Sequence, residues 1–243
     1  MKFTLYLLFI SILCFTIEKK GYVSRYWDCC KPSCSLPENS DGYPARHCDA
    51  SMNTLSDPDE KDICEGGPST TCLDQIPIIV NDNLAYAFGA VPEKNPCGKC
   101  YELIFTGEGQ FESRLNQQKL AGKRLIVIAT NIGSGLPKQI DILIPGGGVG
   151  MYNGCSKILG KKLGRRNGGF LSECEEEVGR DLDDETIYIK RKSCLTNKCN
   201  EFFSGNSQAL QGCLFLANWM EAAGNPLVVY EEIDCPKELL SKY

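Results

Sequence analysis

His47 is the single histidine in this 243-residue chain. A Ser-His-Asp or Cys-His mechanism would have to run through it, and nothing around RHCDA resembles a nucleophile elbow. The sequence therefore predicts a loop or surface histidine without a catalytic task. The same scarcity removes the usual nitrogen ligands of a zinc site. No Asn-x-Ser/Thr acceptor occurs, so N-glycosylation is not expected. No internal repeat, low-complexity block or Ser/Thr/Pro-rich linker interrupts the chain, which argues for one domain without a tethered carbohydrate-binding module. Lys and Arg are outnumbered by Asp and Glu, 26 to 31. With no basic cluster to offset that balance, nucleic acids and anionic membranes are poor partners.

What is present begins with an apolar run, Phe3 to Ile17, behind Lys2 and ahead of Glu18-Lys19-Lys20. It is shorter than the roughly 20 residues a membrane span needs and reads as a secretory signal peptide over residues 1–20. Removing it would leave a single domain at 21–243 with a net charge of −7 by formal count. There are fifteen cysteines, and Cys14 falls inside the apolar run; the other fourteen allow seven disulfides. An oxidising compartment makes bridging the default, so Cys97-x-x-Cys100 and the close pair Cys194 and Cys199 read as disulfide cysteines rather than metal ligands. A chain of this length buries a real core unaided. The bridges are expected to fasten long loops, and the crowding of Cys29, Cys30 and Cys34 suggests a segment tied to several of them.

Short β-branched or aromatic stretches bounded by Gly, Pro or Asn predict strands at 23–28, 100–107, 123–131, 139–145, 186–191 and 226–233. Helical patterns are expected near 81–91 and 215–224, with a short turn around 154–163. Short strands without regular strand-helix alternation predict a mainly β barrel carrying helical insertions.

Two carboxylates stand out. In RYWDCCKPSC, alternation along a strand would put Ser24, Tyr26 and Asp28 on one face and Arg25, Trp27 and Cys29 on the other. In QIDILIPGGGVG, Asp141 is flanked by aliphatics, and a carboxylate in apolar surroundings has its pKa raised, as a general acid near neutrality requires. The run Gly146-Gly147-Gly148-Val149-Gly150 lacks the spacing and lysine of a phosphate loop; close backbone approach or positive φ explains it better. Two carboxylates, aromatic faces and no cofactor or metal are what glycoside hydrolysis needs.

The chain is similar to glycoside hydrolase family 45, secreted endo-β-1,4-glucanases. SRYWDCCKPSC resembles the family signature, and CLDQIPIIVND (72–82), CYELIFTG (100–107), DILIPGGGVGMYNGC (141–155) and NPLVVYEEIDCP (225–236) extend the match. The resemblance implies a six-stranded double-psi β-barrel with long disulfide-fastened loops and a few short helices. It implies an inverting hydrolysis with Asp28 as general base and Asp141 as general acid, their carboxyls roughly 6.5–9.5 Å apart. Tyr26 and Lys31 would lie beside the base, and Gly147, Gly148 and Tyr152 would line sugar subsites. It further implies a β-glucan as partner, an extracellular location and a monomer. The sequence departs from the family where Leu36 and Ile78 replace tryptophans and where Gly135 stands near an assisting aspartate of a loop that is about one residue shorter here. Those changes shift the expectation toward soluble or branched β-glucans such as xyloglucan. Expansin-like proteins share the barrel and the acid-bearing strand but lack the base, so Asp28 favours an enzyme.

Overall fold

The computed structural model describes residues 18–133, 138–160 and 163–243. The expected signal segment through residue 17, and Gly135, lie outside the described residues. The described residues form nine strands: β1 (Lys19–Tyr26), β2 (His47–Cys48), β3 (Thr54–Leu55), β4 (Ile78–Asn81), β5 (Leu84–Val91), β6 (Cys100–Gly109), β7 (Arg124–Ile132), β8 (Gln139–Leu143) and β9 (Pro226–Ile233). Six helices accompany them: α1 (Leu115–Gln118), α2 (Cys155–Leu159), α3 (Gly169–Val178), α4 (Asp184–Phe203), α5 (Ser207–Asn218) and α6 (Lys237–Leu240).

Six strands close on themselves in the order β5, β7, β6, β9, β1, β8, and β8 returns to β5 through Gly89–Ile142 and Ala90–Asp141. β4 pairs on the outside of β5. Closure removes the sheet's free edges, the problem an open β-sheet must otherwise manage. The interior takes the alternate aliphatics of each strand, among them Ala85, Ala87, Leu125, Val127, Ile140, Ile142 and Val228, all buried. The mainly β barrel expected from the sequence is therefore the observed one, with β1 and β8 side by side and parallel in it.

Two predicted elements are exchanged. The helix expected near 81–91 is strand β5: its Ala85, Ala87 and Ala90 favour helix in isolation, but small side chains are what a strand crowded between β7 and β8 can carry. The strand expected at 186–191 lies within the first turns of α4. Asp183 caps that helix by accepting from the Thr186 N–H (2.9 Å), Asp184 and Glu185 fill its first turn, and Ile187, Arg191, Leu195, Cys199 and Phe203 form a buried stripe at every fourth residue. Ile189, which an alternating pattern would count as inward, is 55% exposed. The C-terminal helical pattern is displaced too, since α5 starts at Ser207 and ends at Asn218.

All fourteen cysteines of the described residues are bridged: Cys29–Cys155, Cys30–Cys64, Cys34–Cys97, Cys48–Cys72, Cys100–Cys235, Cys174–Cys194 and Cys199–Cys213. The crowded cysteines do reach three separate segments, and the last two bridges staple α4 to α3 and α5. His47 departs from its expected surface position. It is buried in β2, next to the Cys48–Cys72 bridge, with Nδ1 2.7 Å from Ser69 Oγ.

Candidate active site

The β1–β8 register builds the site. Tyr22 pairs with Gln139, Ser24 with Asp141, and Tyr26 with Leu143. Alternation then puts Tyr22, Ser24 and Tyr26 beside Gln139 and Asp141 on one face. β1 ends at Tyr26, so Asp28 is past the strand rather than in it. The Trp27 N–H donates to Gly148 O (2.7 Å), and Cys29 turns the chain through a left-handed φ of 59°. Asp28 nevertheless lines the same open groove as Asp141, a cavity of about 400 Å³ whose walls also include Tyr26, Lys31, Leu36, Asn131 and Tyr152.

Asp28 is held from several directions. Its carbonyl accepts from the Gly154 and Cys155 N–H groups (2.7 and 3.1 Å), and its carboxylate Oδ1 accepts from the Cys30 N–H (3.0 Å). The neighbouring bridges Cys29–Cys155 and Cys30–Cys64 tie both flanks. Burial pushes the carboxyl up to about 6, opposed by the Cys30 N–H and assisted by the nearby charge of Asp62. Burial also raises Asp141, against the hydrogen bonds from Gln139 and Ser24 that favour its ionised form. The aliphatic neighbourhood read from the sequence is real: Ile140 and Ile142 are fully buried.

The other expected residues divide. Tyr26 lines the groove, and its hydroxyl accepts from Asn131 Nδ2 (2.5 Å). Burial keeps that phenol protonated. Tyr152 also lines the groove and is 55% exposed. Lys31 lines the groove but is itself buried, and its ammonium donates to the carbonyls of Pro58 and Glu60. It is therefore committed to a loop. Gly147 and Gly148 lie behind the wall, where Gly150 is the groove-lining glycine. At Gly148, with φ of 97°, a Cβ would come within 2.5 Å of the Gly169 nitrogen, so the glycine run serves close packing of backbones. Leu36 lines the groove, whereas Ile78 belongs to β4, away from it.

Asn131, Gln139, Ser24 and Asp62 were not singled out as site residues by the sequence reading. Gln139 and Ser24 could have been found once β1 and β8 were paired, since they share a face with Asp141. Asn131 could not, because it arrives from β7, where it also accepts from the Ser33 N–H (2.5 Å). Asp62 arrives from a loop, accepting from the Lys31 and Cys64 N–H groups. The cluster Cys30, Asp62 and Cys64 has metal-type side chains within reach of one another, but its two sulfurs are spent in a disulfide. One carboxylate does not make a cation site.

A closed barrel opening on a groove that holds two desolvated carboxylates is the architecture of a glycoside hydrolase. The chain belongs to glycosyl hydrolase family 45, whose family model matches residues 20–188. It is 41% identical over 231 residues to Endoglucanase B of Cellvibrio japonicus (strain Ueda107), covering 91% of this chain and 44% of that protein. It is 34% identical over 232 residues to an endoglucanase of Cryptopygus antarcticus, covering 91% and 87%. The crystal structure of the cellulase from that Antarctic springtail superposes with a TM-score of 0.71 at 32% identity, over 93% of this chain and 95% of the other. Against the Cellvibrio protein and a putative endoglucanase type K of Fusarium oxysporum, the chain spans about half the relative's length.

Proposed function

We propose that this protein is a secreted, endo-acting hydrolase of β-1,4-glucosidic bonds that inverts the anomeric carbon. The observation that carries the reading is the placement of Asp28 and Asp141 in one open groove, each desolvated and each held by hydrogen bonds. Asp141, protonated, gives its proton to the glycosidic oxygen as the C1–O bond breaks. Asp28, ionised, takes a proton from the water that attacks C1 from the opposite face. The cycle ends with Asp141 ionised and Asp28 protonated, and solvent exchange through the open groove restores both. The matched endoglucanases support a β-1,4-glucan as substrate, and the seven disulfides support export.

Leu36 in the groove wall favours a soluble or substituted glucan over a crystalline one, because an aliphatic side chain provides no stacking face for a sugar ring. Product analysis on cellulose, carboxymethylcellulose, mixed-linkage glucan, xyloglucan and mannan tests both parts. Release of new reducing ends from soluble β-1,4-glucans, lost by orders of magnitude in Asp28→Asn and Asp141→Asn, is the expected result. Polysaccharide binding with no cleavage of any member would replace the reading with a non-hydrolytic, expansin-like one.

A further inference from the structure

The acid strand carries a second polar rung beneath Asp141. The Tyr22 hydroxyl donates to Gln139 Oε1 (2.6 Å), and Gln139 Nε2 donates to Asp141 Oδ1 (2.6 Å). Tyr22 is 8% exposed, and the two residues face each other in the β1–β8 register. Resting on the assignment of Asp141 as the acid, we propose that Gln139 and Tyr22 are positioning residues that decide which oxygen of Asp141 carries the catalytic proton.

A glutamine amide has an acceptor end and a donor end, and a neighbour decides which faces where. The Tyr22 hydroxyl donates its hydrogen bond to the oxygen end, so the N–H end faces Asp141. Oδ1 is thereby occupied by a donor, and the transferable proton is confined to Oδ2. With the amide reversed, its oxygen would face Oδ1 and hold the proton there, locked in a hydrogen bond instead of available to the glycosidic oxygen. Tyr22 thus acts on the acid from two hydrogen bonds away, without touching the groove. The other groups around Asp141 do not substitute for it. Ser24, across on β1, is a second hydrogen-bond partner of Asp141 and keeps that contact when Gln139 or Tyr22 is replaced; Tyr26 follows on the same strand, and β5 presents uncharged Gly89 and Ala90. Asp28, Asp62 and Lys31 share the groove, but none is a hydrogen-bond partner of Asp141.

The test compares Tyr22→Phe, Gln139→Met and Gln139→Glu with wild type on a soluble β-glucan, reading kcat, KM and the pH profile of kcat/KM, with circular dichroism confirming the fold. Removing the donor removes support for the ionised acid, so the alkaline limb moves up, by about one pH unit in Gln139→Met. Gln139→Glu, similar in size, moves it further because two carboxyls then share a proton. Tyr22→Phe lowers kcat roughly tenfold with KM unchanged, a fraction of the roughly 10²–10⁴-fold that general acid catalysis contributes. The double variant Tyr22→Phe/Gln139→Met is no worse than Gln139→Met, since the hydroxyl acts through the amide. Unshifted alkaline limbs in both Gln139 variants, or additive losses in the double variant, would overturn the inference. Asp141→Asn separates the levels: retained activity there overturns the acid assignment itself, whereas an inactive Asp141→Asn beside unshifted Gln139 limbs overturns this inference alone.

Discussion

Asp28 combines a stability cost with the base role proposed for it. Its carboxyl is raised to about 6 in the folded chain, against an ordinary value of 3.8, mainly because burial penalises the charge. The protonated form is then favoured by folding, so this contribution to stability is complete below about pH 4 and is lost as pH rises through 6. Asp28→Asn mimics the protonated state and can still accept from the Cys30 N–H. At about 1.4 kcal/mol per pKa unit, and discounting for the solvent contact that remains, the variant is expected to gain about 1–2 kcal/mol at pH 7. The gain should shrink toward zero at pH 4. Thermal melts at the two pH values check this, and a variant less stable at pH 7 than wild type would contradict it. The same titration sets the acid limb of activity: a base must be ionised, so kcat/KM should fall about tenfold per unit below pH 6. A limb centred near pH 4 would mean that Asp28 is not the titrating base.

At the scale of elements, the position of Asp141, the proposed acid, depends on the crossing of β5 and β8. A Cβ at Gly89 would lie 2.5 Å from the Asp141 carbonyl oxygen and 3.3 Å from Val127 Cγ1. Gly89→Ala is therefore expected to push β8 away, destabilising the fold by about 1–3 kcal/mol and lowering kcat more than tenfold with the barrel retained. Denaturant melts with parallel kinetics measure both effects. Wild-type kcat in that variant would mean that β8 tolerates displacement. This crossing also marks where sequence reading stopped. β1, β6, β7, β8 and β9 were legible because their aliphatics alternate or run continuously. β5 was not, since its alanines carry helix propensity that only neighbouring strands override. Residues 186–191 misled in the other direction, because Ile187 and Ile189 imitate alternation over six residues. The four-residue stripe that identifies α4 needs Leu195, Cys199 and Phe203 to become visible. Asp141 stands out by its aliphatic neighbours and Asp28 chiefly by family likeness, and the fold brings both to one groove, whereas Asn131 and Asp62 become visible only through folding.

For the molecule as a whole, the disulfides and the barrel divide the work. Interior aliphatics hold the strands, while bridges hold the loops that deliver Asp28. Cys30–Cys64 spans 34 residues, and losing such a link costs about 3–4 kcal/mol by chain entropy. Cys30→Ala/Cys64→Ala should lower the melting temperature and reduce kcat more than it raises KM, because the Cys30 N–H positions Asp28, the proposed base. Unchanged kcat in a destabilised variant would restrict the bridge to stability. Inversion by two carboxylates requires water to enter opposite the leaving group in a single displacement. Proton NMR of a soluble β-1,4-glucan oligosaccharide during the first turnovers reads the anomer before mutarotation. The α-anomer appearing first is the predicted result, and the β-anomer appearing first would contradict the account.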